Sequence, residues 1–202
     1  MIYVPLSIAD QWRLDKIPQK SLDIVQMGRK NQILHEYALK YVSKNKHIEY
    51  IYSDYDERSK QLFYYSTIRG KINSPETRIE YMDFLRKAKV CLISSPGMDQ
   101  SRPCADGIDY PTPRFYETAI NYCSMIGRYD SNHDEFEMTG IPKVCCNIET
   151  FEEFQRKIDD ILIYKKKIDK QAYDDFINNH LTSVWYQILL KEIKDRCKEI
   201  TI

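Results

Sequence analysis

The sequence lacks the signatures of several common protein classes. Glycine accounts for only 6 of the 202 residues, and the chain contains neither a G-x-G-x-x-G dinucleotide motif nor a Walker A loop. No apolar run approaches the roughly 18 residues that a membrane-spanning helix needs. The first residues lack the basic region and the long apolar region of a secretion signal. These absences argue against a nicotinamide-dependent enzyme, a P-loop nucleotidase and an integral membrane protein.

An excess of charge of either sign is also missing. The 30 lysine and arginine residues balance 30 aspartate and glutamate residues. A dedicated nucleic-acid-binding protein needs a basic excess, because it must neutralise phosphates along the strand. We therefore expect no nucleic-acid partner, although a neutral chain can still hold a small local anion site.

The cysteines do not follow a metal-binding pattern. None forms a C-x-x-C pair, and no two histidines have the spacing of zinc ligands. Several cysteines lie inside apolar runs, where the side chain behaves as a small hydrophobe. We therefore expect a protein of the reducing cytoplasm with no bound metal. The six residues are Cys91, Cys104, Cys123, Cys145, Cys146 and Cys197.

Apolar runs of strand length alternate with stretches of helical periodicity along the chain. The run Val90–Ile93 is continuously apolar, which is typical of a strand that is buried on both faces. The alternation predicts an α/β fold with an open, mostly parallel sheet of about six strands flanked by helices. Strands are predicted at 23–27, 47–52, 67–71, 89–94, 124–128 and 143–147, and helices at 31–44, 74–88, 112–122 and 170–199.

Capping residues indicate where further helices begin. Ser74 followed by Pro75 predicts the start of one helix, and Thr150 with Glu153 has the spacing of a capping box. A short helix is predicted for the tyrosine-rich stretch after residue 52. The final helix is predicted to bury one apolar face, formed by Trp185, Ile188, Leu189 and Ile193.

The loop after the first strand has the residues of an anion site. Gly28 allows the backbone to approach a ligand closely. Arg29 and Lys30 supply two cations beside the start of a helix, an arrangement that favours a phosphate or diphosphate. The alternative is an ordinary turn with solvated basic residues.

The start of the helix near residue 112 is a second candidate site. Thr112 stands at the N-cap position, and Arg114 in the first turn opposes the helix dipole, which a bound anion would explain. Glu117 lies one turn further along the same face, and its carboxylate can accept hydrogen bonds from two ribose hydroxyls. The alternative is an internal Arg114–Glu117 ion pair on a solvated face.

Other loop residues are expected to line the same crevice, because ligands of open α/β sheets bind beyond the carboxyl ends of the strands. Ser95 follows the fourth predicted strand, and Gly127 and Arg128 follow the fifth. Each of them singly also fits an ordinary turn. No arrangement of Ser, His and Asp, or of Cys and His, marks a catalytic nucleophile, so the catalytic residues stay unassigned.

Three segments together resemble the carboxyl-terminal half of GT-B glycosyltransferases. The segments are Ile93–Gly97, Pro111–Ala119 and Met125–Tyr129. The resemblance is to the group-one or family-four kind, including the spore-protein-like branch whose helix follows the pattern T-x-R-x-x-E-A. It covers nearly all of residues 1–199. It implies a single Rossmann-like domain over residues 23–166, with 1–22 leading into it and the C-terminal helices of 167–202 packing on it.

In such enzymes this half binds the nucleotide-sugar donor, and the full-length enzyme transfers the sugar without a metal or other cofactor, so the resemblance implies that this chain alone binds the donor without transferring the sugar. The resemblance implies that Glu117 binds the ribose and that Arg29 and Lys30 face the diphosphate. Thr112 and Arg114 would lie near the sugar-phosphate end. Family-four enzymes often carry two acids eight residues apart, and Asp109 and Glu117 hold that spacing here. A lysine common five positions after the loop arginine is replaced by Leu34.

A complete GT-B enzyme has two such domains, with the acceptor-binding domain first. The resemblance therefore implies a missing or separate amino-terminal domain that binds a glycan or polysaccharide acceptor. It also implies a cytoplasmic location at the inner face of the membrane, with peripheral membrane association of the full enzyme. The alternatives are a noncatalytic nucleotide-binding or interaction module, and one half of a sugar-nucleotide epimerase.

Overall fold

The computed structural model describes residues 4–56, 58, 60–100, 103–105 and 107–199. The strands in these residues are β1 (Leu22–Gln26), β2 (Tyr50–Asp56), β3 (Gln61–Ser66), β4 (Gly70–Ile72), β5 (Ala88–Ser94), β6 (Ser124–Arg128) and β7 (Cys145–Asn147). The helices are α1 (Gln32–Lys44), α2 (Arg78–Lys87), α3 (Pro113–Ile120), α4 (Asp134–Thr139), α5 (Phe151–Leu162), α6 (Lys170–His180) and α7 (Thr182–Glu199). The predicted fold class is confirmed, because a mostly parallel sheet flanked by helices forms a single Rossmann-like α/β domain.

The sheet has seven strands, one more than predicted, in the order β4-β3-β2-β1-β5-β6-β7. Four of the six neighbouring pairs are parallel, and β3 and β4 add an antiparallel extension. The parallel strands thus follow the doubly wound order 2-1-3-4-5, which reverses between β1 and β5. Ligands of such sheets bind outside the carboxyl ends of the strands at this reversal. The strand predicted at 143–147 is shorter than expected, because Ile141–Lys143 forms a 3-10 turn around Pro142.

The core lies on both faces of the sheet. Along β5, Cys91 and Ile93 belong to one buried cluster and Val90 and Leu92 to the other, as the period of two in a strand requires. Helices α1 and α5 cover the second face, whereas α2, α3 and α6 cover the first. The expectation that this run is buried on both faces is confirmed.

The tyrosine-rich stretch was expected to form a short helix, and that expectation is wrong. It continues β2 and then forms β3, which pairs antiparallel with β2. Tyr52 lies directly opposite Tyr65, with ring centroids 5.7 Å apart, and such aromatic cross-strand pairs stabilise a sheet. The strand predicted at 67–71 is displaced, because residues 67–69 form a turn and Gly70, at φ +75°, begins β4.

Helix α2 begins three residues later than Ser74 and Pro75 suggested. Thr77 is the N-cap: its Oγ1 accepts a hydrogen bond from the Glu80 N–H at 3.2 Å, and the Glu80 carboxylate accepts one from the Thr77 N–H at 3.3 Å. This capping box satisfies two backbone donors at once, whereas the Ser74 hydroxyl donates to Leu62 O instead. The capping box predicted for Thr150 and Glu153 is confirmed.

The C-terminal stretch, expected to be continuously helical, is divided in two by Leu181. Ile8 causes the break, since its N–H donates to His180 O at 2.9 Å and its carbonyl accepts from the Thr182 N–H at 3.0 Å. The apolar face predicted for the last helix is largely at the surface, with Ile188 40% and Ile193 46% exposed. None of the described helices combines the length and the apolar character needed to cross a membrane.

Candidate functional site

Two loops and the start of a helix meet at the carboxyl ends of β1 and β5, and together they form what we call the switch-point crevice. They are the loop after β1 (28–30), the loop after β5 (95–99) and the first turn of α3. Asn31 Nδ2 donates to Asp99 Oδ2 at 2.9 Å, which joins the first loop to the second. Arg114 of α3 lies against Gly28, which joins the third to the first. The structure therefore brings together two loops that lie about eighty residues apart in the sequence.

The guanidinium of Arg114 lies directly over the backbone of Gly28. Gly28 has φ +72°, and a Cβ built on it would lie 1.9 Å from Nη2 and 2.5 Å from Cζ of Arg114. Only glycine leaves room for this approach. Arg114 is half-buried, and its side chain makes no hydrogen bond or ion pair with the described residues. The crevice therefore contains a positive charge that no described carboxylate neutralises.

The N-terminus of α3 has no side-chain cap. Thr112 occupies the N-cap position, but its Oγ1 is buried and forms no hydrogen bond with the described residues. The Phe115 N–H donates to the main-chain carbonyl of Thr112 instead, at 3.1 Å. Helices α2 and α5 also have threonine N-caps, and both of those hydroxyls accept the expected bond. The positive end of the α3 dipole thus faces the crevice without a side-chain acceptor from the described residues.

The two cations of the β1 loop lie beside a small cavity of about 270 Å³. Lys30 Nζ is 3.2 Å from Asp54 Oδ1 and 5.1 Å from the centre of the Tyr52 ring. The charge of Lys30 is therefore partly compensated by contacts within the protein. Arg29 is half-buried and lines the same cavity, next to Gly28.

Glu117 does not pair with Arg114, so the ion pair that sequence spacing allowed is absent from the described contacts. Its carboxylate accepts a hydrogen bond from the Tyr81 hydroxyl at 2.9 Å and forms an ion pair with Arg78 at 2.7 Å, both from α2. The side chain is only 8% exposed. Burial, together with the Glu117 charge, raises the pKa of Tyr81, so this phenol stays a donor. Glu117 borders the crevice with both of its carboxylate oxygens already engaged.

Arg128 is also engaged, and it ties three strand ends together. Its Nη2 donates to Asp99 Oδ1 at 2.7 Å, its Nε donates to Asp99 Oδ2, and its Nη1 donates to Ile148 O at 3.0 Å. Asp99 adopts φ +54°, a conformation that residues other than glycine seldom adopt. Burial raises the pKa of Asp99, but the hydrogen bonds from Arg128 and Asn31 outweigh burial and hold it below its ordinary value.

The other predicted residues surround the crevice in different ways. Ser95 is fully buried, and its N–H donates to Arg128 O at 3.2 Å. Gly127 lies inside the sheet, where an added Cβ would be 2.7 Å from Cys145 Sγ, so its role is close strand packing. Asp109 lines an adjoining cavity of about 320 Å³. Asp109 Oδ2 accepts from the Asp130 N–H at 2.7 Å, whereas its Oδ1 is buried without a hydrogen-bond partner among the described residues.

Sequence reasoning missed the residues that hold the crevice in shape. Asp99 lies in a loop with no periodic pattern. Arg78 and Tyr81 lie on α2, and the residue that they contact, Glu117, is 36 residues beyond Tyr81 in the sequence. Asn31 carried a usable signal, since asparagine before a helical stretch is a favoured N-cap. Its Oδ1 indeed accepts from the Leu34 N–H at 2.9 Å, which leaves its Nδ2 for Asp99.

The described residues contain no group of three or more His, Cys, Asp and Glu side chains arranged to hold a metal ion. The site therefore offers its chemistry through a guanidinium, an uncapped helix start and a glycine-lined loop, a set suited to an anion. No protein-family model and no curated protein matches the chain.

Proposed function

We propose that this chain is the nucleotide-sugar-binding half of a glycosyltransferase, which passes a sugar to a glycan or polysaccharide acceptor held by another domain. The observation that carries the proposal is the unneutralised guanidinium of Arg114 over Gly28, at the point where the strand order reverses. The sugar-nucleotide class comes from the resemblance of the chain to GT-B enzymes. The anionic character of the proposed ligand is supported both by the residues of the β1 loop and by the position of Arg114.

The geometry favours a phosphorylated ligand for an energetic reason. A half-buried guanidinium without a counterion loses hydration and gains no partner within the protein. Arg114 also lies at the positive end of α3, where the dipole opposes it. A phosphate in the crevice would offset both costs, since it can accept hydrogen bonds from the guanidinium fork and from the uncapped helix start. Gly28 keeps this approach open.

The cavity beside the crevice suits the polyhydroxylated part of such a ligand. Its lining includes Asp109, Asp130, Asn132 and Asn147, all of which can accept hydrogen bonds from hydroxyls. The Oδ1 of Asp109 is buried and has no hydrogen-bond partner among the described residues. A diphosphate at Arg114 with a sugar toward Asp109 would use both observations.

In this mechanism the chain binds and orients the donor, and it stabilises the leaving group. As the bond to the sugar breaks, negative charge accumulates on the departing diphosphate, and Arg114 with the α3 N-terminus would stabilise that charge. The Asn31–Asp99–Arg128 network holds the two flanking loops in position before the ligand arrives. The base that activates the acceptor would come from the acceptor side.

Titration calorimetry of the chain against UDP-, GDP-, ADP- and CMP-linked sugars tests the proposal. We expect one class to bind, and Arg114→Ala to weaken that binding by about ten- to a hundredfold, since hydrogen bonds to charged groups contribute about 1.5–3 kcal/mol. Arg156→Ala, which removes an exposed arginine from α5, is the matched control and should bind normally. Absence of binding to all four classes, or unchanged affinity in Arg114→Ala, would exclude this function.

Gly28→Ala should weaken the same binding by about tenfold, because the new methyl group displaces the Arg114 guanidinium from the crevice. The matched control is Gly70→Ala. Gly70 has φ +75°, so both variants carry the cost of a left-handed alanine, but nothing lies within 4 Å of a Cβ at Gly70. Calorimetry with the ligand that the wild-type chain binds measures the difference. Equal affinities in the two variants would show that the Arg114–Gly28 contact is not part of the site.

A further inference from the structure

A further cavity lies at the opposite edge of the sheet, where β5 and β6 begin, and we call it the lysine-lined cavity. Its volume is about 680 Å³, within the usual range for small-molecule sites. The chain between α5 and α6 closes one side, and the segment leading into β1 closes another. The apolar part of its wall consists of Ile17, Tyr122, Ile161, Leu162 and Ile168.

Six lysines line this cavity: Lys20, Lys89, Lys165, Lys166, Lys167 and Lys170. Two of them have carboxylate partners, since Lys89 pairs with Asp23 at 2.6 Å and Lys170 pairs with Asp174. The other four form no ion pair with the described residues. Four unneutralised positive charges therefore surround an apolar cavity in a chain whose net charge is zero.

Lys20, one of the four lysines without an ion pair, is half-buried in the wall of the lysine-lined cavity. Its Nζ donates to Asn121 O at 2.6 Å and to Cys123 Sγ at 3.6 Å. An ammonium has three hydrogens, so one of them has no acceptor among the described residues. Burial lowers the pKa of Lys20, and a nearby anion would favour its charged form again.

We propose that the lysine-lined cavity binds an alkyl phosphate, a single amphipathic molecule with a hydrocarbon chain and a phosphate head. The apolar wall accounts for the chain, since burying hydrocarbon there removes it from water. The lysines account for the head, because compact ammonium groups are effective phosphate partners. This inference does not depend on the proposed function, because the two sites lie at opposite edges of the sheet.

Two further acidic residues lie near the cavity, and neither neutralises the four lysines without an ion pair. Asp160 and Asp169 line an adjoining cavity that shares Lys166 and Lys167 with this one. Asp169 accepts the Ala172 N–H at the start of α6, at 3.1 Å, and neither aspartate forms an ion pair with a lysine in the described residues. The lysine charge thus stays available to a ligand.

Calorimetry with decyl phosphate, below the concentration at which it forms micelles, tests this proposal. We expect saturable binding by the wild-type chain, and a loss of about tenfold or more in K165Q/K166Q/K167Q. The control K44Q/K46Q/K194Q removes the same charge from exposed positions elsewhere and should bind normally. Ile17→Asn, at a position that is 41% exposed, should also weaken binding, because it removes part of the apolar wall.

Three further ligands separate the contributions of head and chain. Decanol and inorganic phosphate, which each carry one half of the ligand, should bind at least about tenfold more weakly than decyl phosphate. The nucleotide sugar should not displace decyl phosphate, and the Arg114→Ala variant should bind decyl phosphate as tightly as the wild-type chain does. Equal binding by the two triple variants, equal binding by decanol, or binding to phosphatidylglycerol vesicles without binding to monomeric decyl phosphate would overturn the proposal.

Discussion

Arg128→Ala is expected to lower the free energy of unfolding by about 3–5 kcal/mol, the usual cost of leaving one member of a buried ion pair without its partner. The side chains of Arg128 and Asp99 are only 10% and 11% exposed. Without the guanidinium, Asp99 keeps, among the described residues, only the hydrogen bond from Asn31. The Ile148 carbonyl loses the Arg128 donor, and the Glu149 carbonyl keeps only the Tyr37 hydroxyl as a described side-chain donor. Urea unfolding followed by circular dichroism measures the loss.

Arg86→Ala is the matched control for this prediction. Arg86 pairs with Asp83 three residues earlier on α2, where the two side chains are 28% and 47% exposed, and exposed pairs contribute about 1 kcal/mol or less. The double variant D99A/R128A should be more stable than Arg128→Ala alone, since it removes the unpaired carboxylate as well. If Arg128→Ala costs no more than Arg86→Ala, the buried pair does not stabilise the fold.

Phe154→Ala should cost about 3–5 kcal/mol of unfolding free energy, as large-to-small changes at buried phenylalanines do. Phe154 is fully buried on the inner face of α5. Its ring lies 5.9 Å from that of Tyr37, 6.3 Å from that of Tyr41 and 6.4 Å from that of Phe151, centroid to centroid. Removing it leaves a cavity where α1 and α5 pack against each other. Chemical denaturation of the variant gives the change in stability.

Phe63→Ala makes the same chemical change at a half-buried position of β3. Phe63 lies under Lys71 in the antiparallel extension of the sheet, so its removal opens a surface and creates no closed cavity. Its cost should be clearly smaller than that of Phe154→Ala. Similar costs at the two positions would mean that the α1–α5 face is no better packed than the edge of the sheet.

Phe154 and Arg128 differ in how far their structural roles can be predicted from the sequence. The burial of Phe154 can be predicted from local sequence, because Phe151, Phe154 and Ile158 recur with the period of a helix and form one apolar stripe on α5. The Arg128–Asp99 pair could not be predicted in this way, because Asp99 lies in a loop without a periodic pattern and Arg128 lies 29 residues later, at the end of β6. Arg128 was expected at the crevice as a ligand contact, whereas the structure uses its guanidinium to hold three strand ends together.

In the candidate site, too, local sequence predicted the positions of residues better than their contacts. Gly28, Arg29, Lys30, Thr112 and Arg114 were singled out because they stand at strand ends and helix starts, and those positions follow from local sequence. The contacts of Glu117 could not be predicted from local sequence. Its spacing from Arg114 suggested an ion pair between the two, but the Glu117 carboxylate binds Arg78 and Tyr81 of α2 instead.

Local sequence is sufficient to predict the α/β class, strands β1, β5 and β6, and the capping box of α5, because each depends on residues within one short segment. The strand order, the β2–β3 pairing and the division between α6 and α7 by Ile8 depend on long-range contacts and became visible only in the folded chain. The same is true of the position of Arg114 over Gly28, with no counterion among the described residues. Hydrogen bonds and ion pairs form between groups that folding brings close together, and local periodicity does not indicate which strand ends will be neighbours in the sheet.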